Sequence, residues 1–169
     1  MIYITSSDNT ARFALGNPGT TNLVVFGVNP STATDIEYDR TIRRVEGYSR
    51  AHGFGGWLML NLYPQRAKDP DDLHTEANTD LCAENIDAIA KALELVGDFT
   101  LCAAWGELIR ERKYLASCLT QINASLCPKT WHSIGEPLKK GHPRHPLYAQ
   151  TKWPLKPFDL TNYLLFQKL

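Results

Sequence analysis

Leu23-Val24-Val25-Phe26-Gly27-Val28-Asn29-Pro30-Ser31 decides the fold. The stretch is apolar through Val28 and then turns abruptly polar. An unbroken apolar run of this kind suits a strand buried on both faces, as in a parallel sheet. Asn29 then stands where the strand leaves the sheet. In open α/β sheets, ligands bind outside the carboxyl ends of the strands. An amide held there by the following proline is therefore a candidate for contacting a substrate or a water molecule. Asn-Pro is equally a plain turn signal.

Outward from this strand, apolar strands and amphipathic helices alternate. Residues 11–15 suggest a short strand entering the turn Gly16-Asn17-Pro18-Gly19. Segment 41–52 places Ile42, Val45 and Tyr48 or Ser49 at helical spacing, with Asp39 or Thr41 as the cap and Gly53 as the stop. Trp57-Leu58-Met59-Leu60 reads as a second buried strand, ending at Asn61, and a polar loop follows over 64–76. Residues 79–96 carry Leu81, Ile86, Ile89, Leu93 and Val96 on one helical face, with Gly97 as the stop. Phe99 to Ala104 is a third strand, followed by Trp105-Gly106. Leu108, Leu115, Leu119 and Ile122 mark another helix, and Thr130 to Ile134 a fourth strand. The C-terminal stretch is Pro-rich and irregular, with an edge strand or short helix expected near 161–167. This alternation predicts an α/β fold, a three-layer α/β/α arrangement around a central, mostly parallel four-stranded sheet, in a single domain over residues 1–169.

Bulk properties narrow the function classes. With 169 residues, 43% hydrophobic and 21% charged, the chain has the composition of a soluble globular protein with one real core. Eighteen basic residues balance eighteen acidic ones, so net charge gives no long-range attraction to nucleic acid, although a local patch stays open. The opening Met1-Ile2-Tyr3-Ile4-Thr5 lacks the basic region and the apolar length of a signal peptide, and no long apolar span follows. A cytoplasmic protein without a membrane partner is expected. Cys82, Cys102, Cys118 and Cys127 form no CxxC pair, so no zinc or iron–sulfur site is expected, nor any other cofactor. The thiols are expected to be reduced and buried in helices and a strand.

If the strands are parallel, their polar ends share one edge of the sheet. That edge would gather Asn29, Asn61, Trp105-Gly106 and the segment Gly141-His142-Pro143-Arg144-His145-Pro146-Leu147-Tyr148. These motifs resemble those of the uracil-DNA glycosylase superfamily. Gly27-Val28-Asn29-Pro30 is similar to its first motif, and Leu58-Met59-Leu60-Asn61 to a Leu-Leu-Leu-Asn strand. Ala104-Trp105-Gly106 is similar to a Leu-Trp-Gly, and His142-Pro143-Arg144-His145-Pro146-Leu147 to the second catalytic motif. The chain more closely resembles a bacterial and phage family catalogued as domain of unknown function 1643. The residues that carry this likeness are Asn29-Pro30-Ser31-Thr32-Ala33, Asp39-Arg40-Thr41-Ile42-Arg43-Arg44, Asn61-Leu62 and Pro143-Arg144-His145-Pro146-Leu147-Tyr148.

The glycosylase resemblance implies a uracil-DNA glycosylase-like fold and cleavage of an N-glycosidic bond. Such a reaction builds negative charge on the departing base, which an imidazole can stabilise by donating a hydrogen bond. His145 is the first choice for that role and His142 the second. The resemblance implies that Asn29 holds the attacking water. Asn61 carries a donor and an acceptor and can read the edge of a pyrimidine, or else cap strand-end backbone groups. Ser31 and Thr32 are candidates for phosphate contact. Asp39 is either a helix N-cap or a general base, or a partner for Arg43 or Arg144. Arg40, Arg43, Arg44 and Arg50 form either a solvated helix face or a phosphate grip. Trp57 and Trp105 read as core residues, and Phe54 or Tyr63 as a stacking platform.

Two departures argue against ordinary uracil removal. Ser31-Thr32 stand where the best-known uracil-specific motif has Tyr-His, and Arg144 is inserted between Pro143 and His145. The expected activity is therefore a nucleobase-recognising N-glycosidase-type hydrolase for a modified or damaged base in DNA. The alternatives are a hydrolase or transferase acting on a free nucleotide or nucleoside, and a non-catalytic nucleic-acid or nucleotide-binding module. In each case the expected partner is a nucleobase-containing molecule.

Overall fold

A computed structural model describes residues 1–126 and 129–166. Its strands are β1 (Ile2–Thr5), β2 (Arg12–Asn17), β3 (Thr21–Gly27), β4 (Gly56–Asn61), β5 (Asp98–Ala103), β6 (Trp131–Ile134) and β7 (Leu155–Phe158). Its helices are α1 (Arg40–Ala51), α2 (Thr79–Glu94), α3 (Tyr114–Ser125) and α4 (Leu160–Phe166). All strands join one sheet in the order β1-β2-β4-β3-β5-β6-β7. The pairs β3–β4, β3–β5 and β5–β6 are parallel. The pairs β1–β2, β2–β4 and β6–β7 are antiparallel.

The α/β class holds, but the sheet has seven strands and mixed direction, where four mostly parallel strands were expected. The additional strands are those whose local sequence is least strand-like. β1 has four residues, three of them half-buried. β7 contains Pro157, which lacks a backbone donor and is tolerated at a sheet edge. A second correction concerns the helix expected from Leu108. Residues Gly106–Arg110 form a separate 3₁₀ turn, and α3 begins at Tyr114. Gly106 has φ +63°, a left-handed conformation that breaks the run out of β5. Near the C-terminus the helical alternative prevails over the strand, as α4.

The apolar run of β3 is buried on both faces, as its composition demands. Leu23 and Val25 pack with Trp57, Met59 and Cys102 under Ile42, Val45 and Tyr48 of α1. Val24 and Phe26 pack with Leu58, Leu60 and Leu101 against Ile89 and Ala92 of α2 and Leu115, Leu119 and Ile122 of α3. Each such side chain contributes about 1.5–3 kcal/mol when fully buried. The two sets alternate along the strand because successive side chains point to opposite faces. α1 therefore covers one face of the sheet, and α2 and α3 cover the other.

Capping sets where α1 and α2 begin. Asp39 accepts from Ile42 N at 2.9 Å, and Asn78 accepts from Leu81 N at 3.0 Å. Trp105 is fully buried, and its Nε1 donates to Tyr163 Oη at 3.1 Å. Trp57 is likewise in the core. Cys102 and Cys118 are buried free thiols, whereas Cys82, expected to be buried, is only partly so. Cys127 lies outside the described residues. Among the described residues, no helix is long and apolar enough to cross a membrane.

Candidate functional site

The backbone hydrogen bonds of the parallel sheet continue past its strand ends. Leu62 N donates to Gly27 O and Tyr63 N to Val28 O, both at 2.9 Å, and Ala67 N donates to Pro30 O at 3.0 Å. The segments leaving β3 and β4 are thereby held side by side. Between them and the N-terminus of α1 opens a cavity of about 240 Å³. Its polar lining comes from Arg12 of β2, Asn29 and Ser31 after β3, Asp39 and Thr41 at the start of α1, Lys68 after β4, and His145 after β6. The carboxyl ends of the parallel strands thus converge on one cleft, the place where open α/β sheets bind ligands.

Asn29 is oriented by its neighbours. Its Nδ2 donates to Pro30 O at 3.0 Å and to Ala67 O at 2.9 Å. Two carbonyls facing one end of the amide fix that end as NH₂. The group left without a protein partner on this cavity-lining residue is the carbonyl oxygen Oδ1, an acceptor.

His145 is oriented in a complementary way. It caps the short turn Pro146–Tyr148, and its Nδ1 accepts from Leu147 N at 3.3 Å. In the neutral ring the proton then sits on Nε2, which becomes a donor. Burial lowers the pKa of His145 from its ordinary value, while the charge of Asp39 opposes that shift. Gly106 packs beneath this segment, and a Cβ built there would lie 3.4 Å from His145 Cβ. A second cavity of about 430 Å³ shares Leu108, His145 and Leu147 with the first, so His145 stands between two spaces.

Asp39 lines the cavity and also caps α1 through Oδ1. It forms no ion pair with Arg43 or Arg144. Arg43 Nε donates to Tyr38 O at 3.0 Å on the exposed side of α1. Arg144 Nε donates to Glu136 O at 2.8 Å, its guanidinium lies 4.9 Å from the Trp153 ring centre, and it lines the second cavity.

Asn61 is fully buried, and neither its Nδ2 nor its Oδ1 has a partner among the described residues. It lies behind the cavity wall, beside Gly27, where a built Cβ would come within 3.2 Å of Asn61 Oδ1. An amide left unpaired at both ends is costly, which marks a position where a ligand or water can supply the bonds.

Other expected residues fall elsewhere. Ser31 lines the cavity, but Thr32 is exposed and does not. His142 is fully buried away from the cleft, with Nδ1 2.8 Å from Tyr163 Oη. Trp105 Nε1 donates to the same hydroxyl, so Tyr163 links the indole and the imidazole in one buried chain. Burial lowers the pKa of His142. Tyr63 is buried, with its hydroxyl 2.6 Å from His74 Nδ1, and Phe54 packs beside the α1 core. Neither aromatic lines the cleft. Among the described residues, no group of three or more His, Cys, Asp or Glu side chains is placed to hold a metal ion.

Arg12 and Lys68 line the cleft without having been singled out from the sequence. Lys68 left no signal, being a lone lysine in a polar loop. Arg12 left one: it interrupts the apolar run Ala11-Arg12-Phe13-Ala14-Leu15, where a charge is unusual unless it has work to do.

Fold and cavity together define an α/β protein with a small polar cleft at the carboxyl edge of its parallel strands. Residues 12–147 match the model of a family described as "Protein of unknown function (DUF1643)", and the chain belongs to that family. Every residue lining the cleft falls within the matched span. No curated protein and no solved structure matches the chain.

Proposed function

We propose that the chain is a nucleobase-recognising N-glycosidase-type hydrolase, acting on a modified or damaged base. The observation that carries this reading is the pairing of an oriented acceptor, Asn29 Oδ1, with an oriented donor, His145 Nε2, on one cleft. The likeness of the strand-end motifs to the uracil-DNA glycosylase superfamily supports it. In the reaction the bond between C1′ and the base nitrogen breaks, and its electron pair leaves with the base. His145 Nε2–H stabilises the resulting charge on a base carbonyl oxygen, as preorganised donors do in a water-poor site. Asn29 Oδ1 accepts a hydrogen bond from water and orients it toward C1′. Water's oxygen bonds to C1′, and its proton passes to Asp39 and then to the departed base. Asn61, behind the wall beside Gly27, recognises a base edge only where that wall gives way to the ligand. Duplex DNA would have to present the base flipped out of its stack.

A second substrate form, a free nucleotide, is favoured by the buried guanidinium of Arg12 on the cleft wall. The test uses oligonucleotides bearing uracil, hypoxanthine, mismatches and modified pyrimidines, alongside free nucleosides and nucleotides. Abasic sites or released base are the expected products. Absence of both from every substrate overturns the reading, and ligand binding without turnover would leave a binding module.

A further inference from the structure

Arg12 is a charged residue at 2% exposure in a strand that otherwise buries Phe13, Ala14 and Leu15. An irregularity in the pairing of β1 with β2 aims it. Ile4 pairs with Ala14 but Thr5 pairs with Arg12, so Phe13 is an extra residue in β2. Leu15 faces the α1 core, while Ala14 and Phe13 both belong to clusters on the α2 side. The bulge shifts the alternation and turns Arg12 toward the cleft, a known use of bulges near sites.

The charge of Arg12 is poorly answered. Its Nη1 donates to Ala33 O at 3.0 Å, its buried Nε has no partner among the described residues, and it makes no ion pair there. Arg66 Nη1 donates to the same Ala33 carbonyl at 3.1 Å, so two guanidiniums converge on one neutral acceptor. The other acceptors of Arg66 are neutral too: Ser31 O, Asn9 Oδ1 and Tyr3 Oη. Burial and the nearby Arg66 lower the pKa of Arg12 to about 10 against the opposing charge of Asp39, which leaves it charged at neutral pH. Lys68 adds a second cation to the lining, against the single carboxylate of Asp39. Asp39 offsets part of this charge at a distance but forms no ion pair with Arg12, and a buried charge without a directly paired counter-ion is expensive unless something of opposite sign completes it.

We propose that the cleft contains a phosphoryl-binding subsite built on Arg12 and Lys68, with Ser31 on the same wall, that takes the phosphate of a nucleotide-type ligand. The need for an anion stands on the geometry alone, and only the choice of a nucleotide rests on the function proposed above. A planar guanidinium matches phosphate oxygens better than an ammonium, which acts as a point charge at the rim. The cavity of about 240 Å³ is smaller than the sites of roughly 300–1,000 Å³ that enclose a whole ligand. It therefore takes one group of the ligand, and the adjoining space past His145 has room for another part.

The test uses the full chain in phosphate-free buffer at fixed ionic strength. Binding of the deoxynucleoside monophosphates dAMP, dCMP, dGMP and dUMP is compared with that of the matching nucleosides, by calorimetry and by thermal shift. At least one monophosphate is expected to bind about tenfold or more tightly than its nucleoside, the effect of one charge-assisted contact. Arg12→Gln and Lys68→Ala should each collapse that ratio. Lys68 is exposed, so Lys68→Ala carries the test even where Arg12→Gln fails to fold. An oligonucleotide without a terminal phosphate distinguishes the source. Tighter binding than any monophosphate, lost in both variants, places an internal phosphodiester in the subsite, and weaker binding places a terminal phosphate there. Equal affinity for monophosphate and nucleoside in every pair, or a ratio unmoved by Lys68→Ala, overturns the proposal. Phosphate preference without base release would sink only the glycosidase reading. Base release without phosphate preference would sink only the subsite.

Discussion

The backbone N–H of Leu147 donates to Nδ1 of His145 at 3.3 Å, and this bond decides which ring nitrogen carries the proton. The ring presents Nε2–H as a donor without bearing a charge. Its geometry depends on Pro146, which opens the short turn and brings the Leu147 amide under the ring. A ¹⁵N-resolved imidazole spectrum at neutral pH should show a protonated Nε2 and an unprotonated Nδ1 for His145. The opposite tautomer would remove the donor assigned to this residue.

Burial lowers the pKa of both His145 and His142 below the ordinary value of 6.5. The folded state therefore resists a proton that the unfolded chain accepts. Below pH 6.5 the unfolded chain binds more protons, so stability should fall as pH drops from there through the lowered folded pKa values. Thermal unfolding followed between pH 5 and pH 8 should show this loss on the acid side (about a unit either way around histidine's usual range). His142→Gln and His145→Gln should each flatten the slope. A slope unchanged in both variants would place its origin elsewhere.

Asn61 is a case where function and stability should oppose each other. Its side-chain amide is buried and unpaired at both ends among the described residues. Asn61→Leu keeps the shape and removes that penalty, which is about 1–3 kcal/mol for an unsatisfied buried polar group. The variant is expected to match or exceed the natural protein in a urea titration while losing nucleobase recognition. A marked loss of stability would show that the amide is satisfied in solution and holds the strand end together.

The layout of the core was legible because β3 and β4 carry uninterrupted apolar runs, β5 ends in Leu101-Cys102-Ala103, and α1 and α2 keep their apolar residues on one face. Of the two caps the sequence offers, Asp39 and Thr41, it is Asp39 that starts α1. The edge strands were not legible, because β1 and β7 are short and Pro157 sits inside one of them. Of the cleft, Asn29, Ser31, Asp39 and His145 were found because they stand at strand and helix ends. Arg12 was missed because its direction depends on an extra residue in a strand, and a bulge is a property of the pairing between two strands. The placement of His142 in a hydrogen-bonded core chain with Tyr163 and Trp105 depends on α4, far along the sequence.

Asn29→Asp is isosteric but reverses half of the local chemistry. The Nδ2 donor that meets Pro30 O and Ala67 O becomes a carboxylate oxygen facing two carbonyls. Pro30 O keeps the Ala67 N–H, but Ala67 O loses its donor and now faces a carboxylate, at a cost of about 1–3 kcal/mol. Denaturant titrations should show this variant less stable than the natural protein at neutral pH, with part of the loss recovered in acid, where a protonated carboxyl can donate again. A variant of unchanged stability would mean that Asn29 does not hold the two loops together.

Two glycines beside the cleft should separate fold from function. Gly106 has φ +63°, and a Cβ there would make ordinary contact with His145 Cβ at 3.4 Å. Gly106→Ala therefore strains only the backbone, at about 1–2 kcal/mol for a left-handed residue. Its melting temperature should fall while ligand affinity is largely kept. Gly27 has no such conformational demand, but a Cβ there would come within 2.6 Å of Met59 Cε. That methyl is the end of a flexible side chain and can swing aside, but the same Cβ would also press on the buried Asn61 Oδ1 at 3.2 Å. Because Met59 lines the cleft, its movement changes the space offered to a ligand. Gly27→Ala should thus lose affinity together with some melting temperature, whereas Gly106→Ala should lose melting temperature alone. The reverse pattern, with Gly106→Ala silent in stability and Gly27→Ala silent in binding, would mean that the cleft between Gly27, Met59 and His145 is not where the ligand sits.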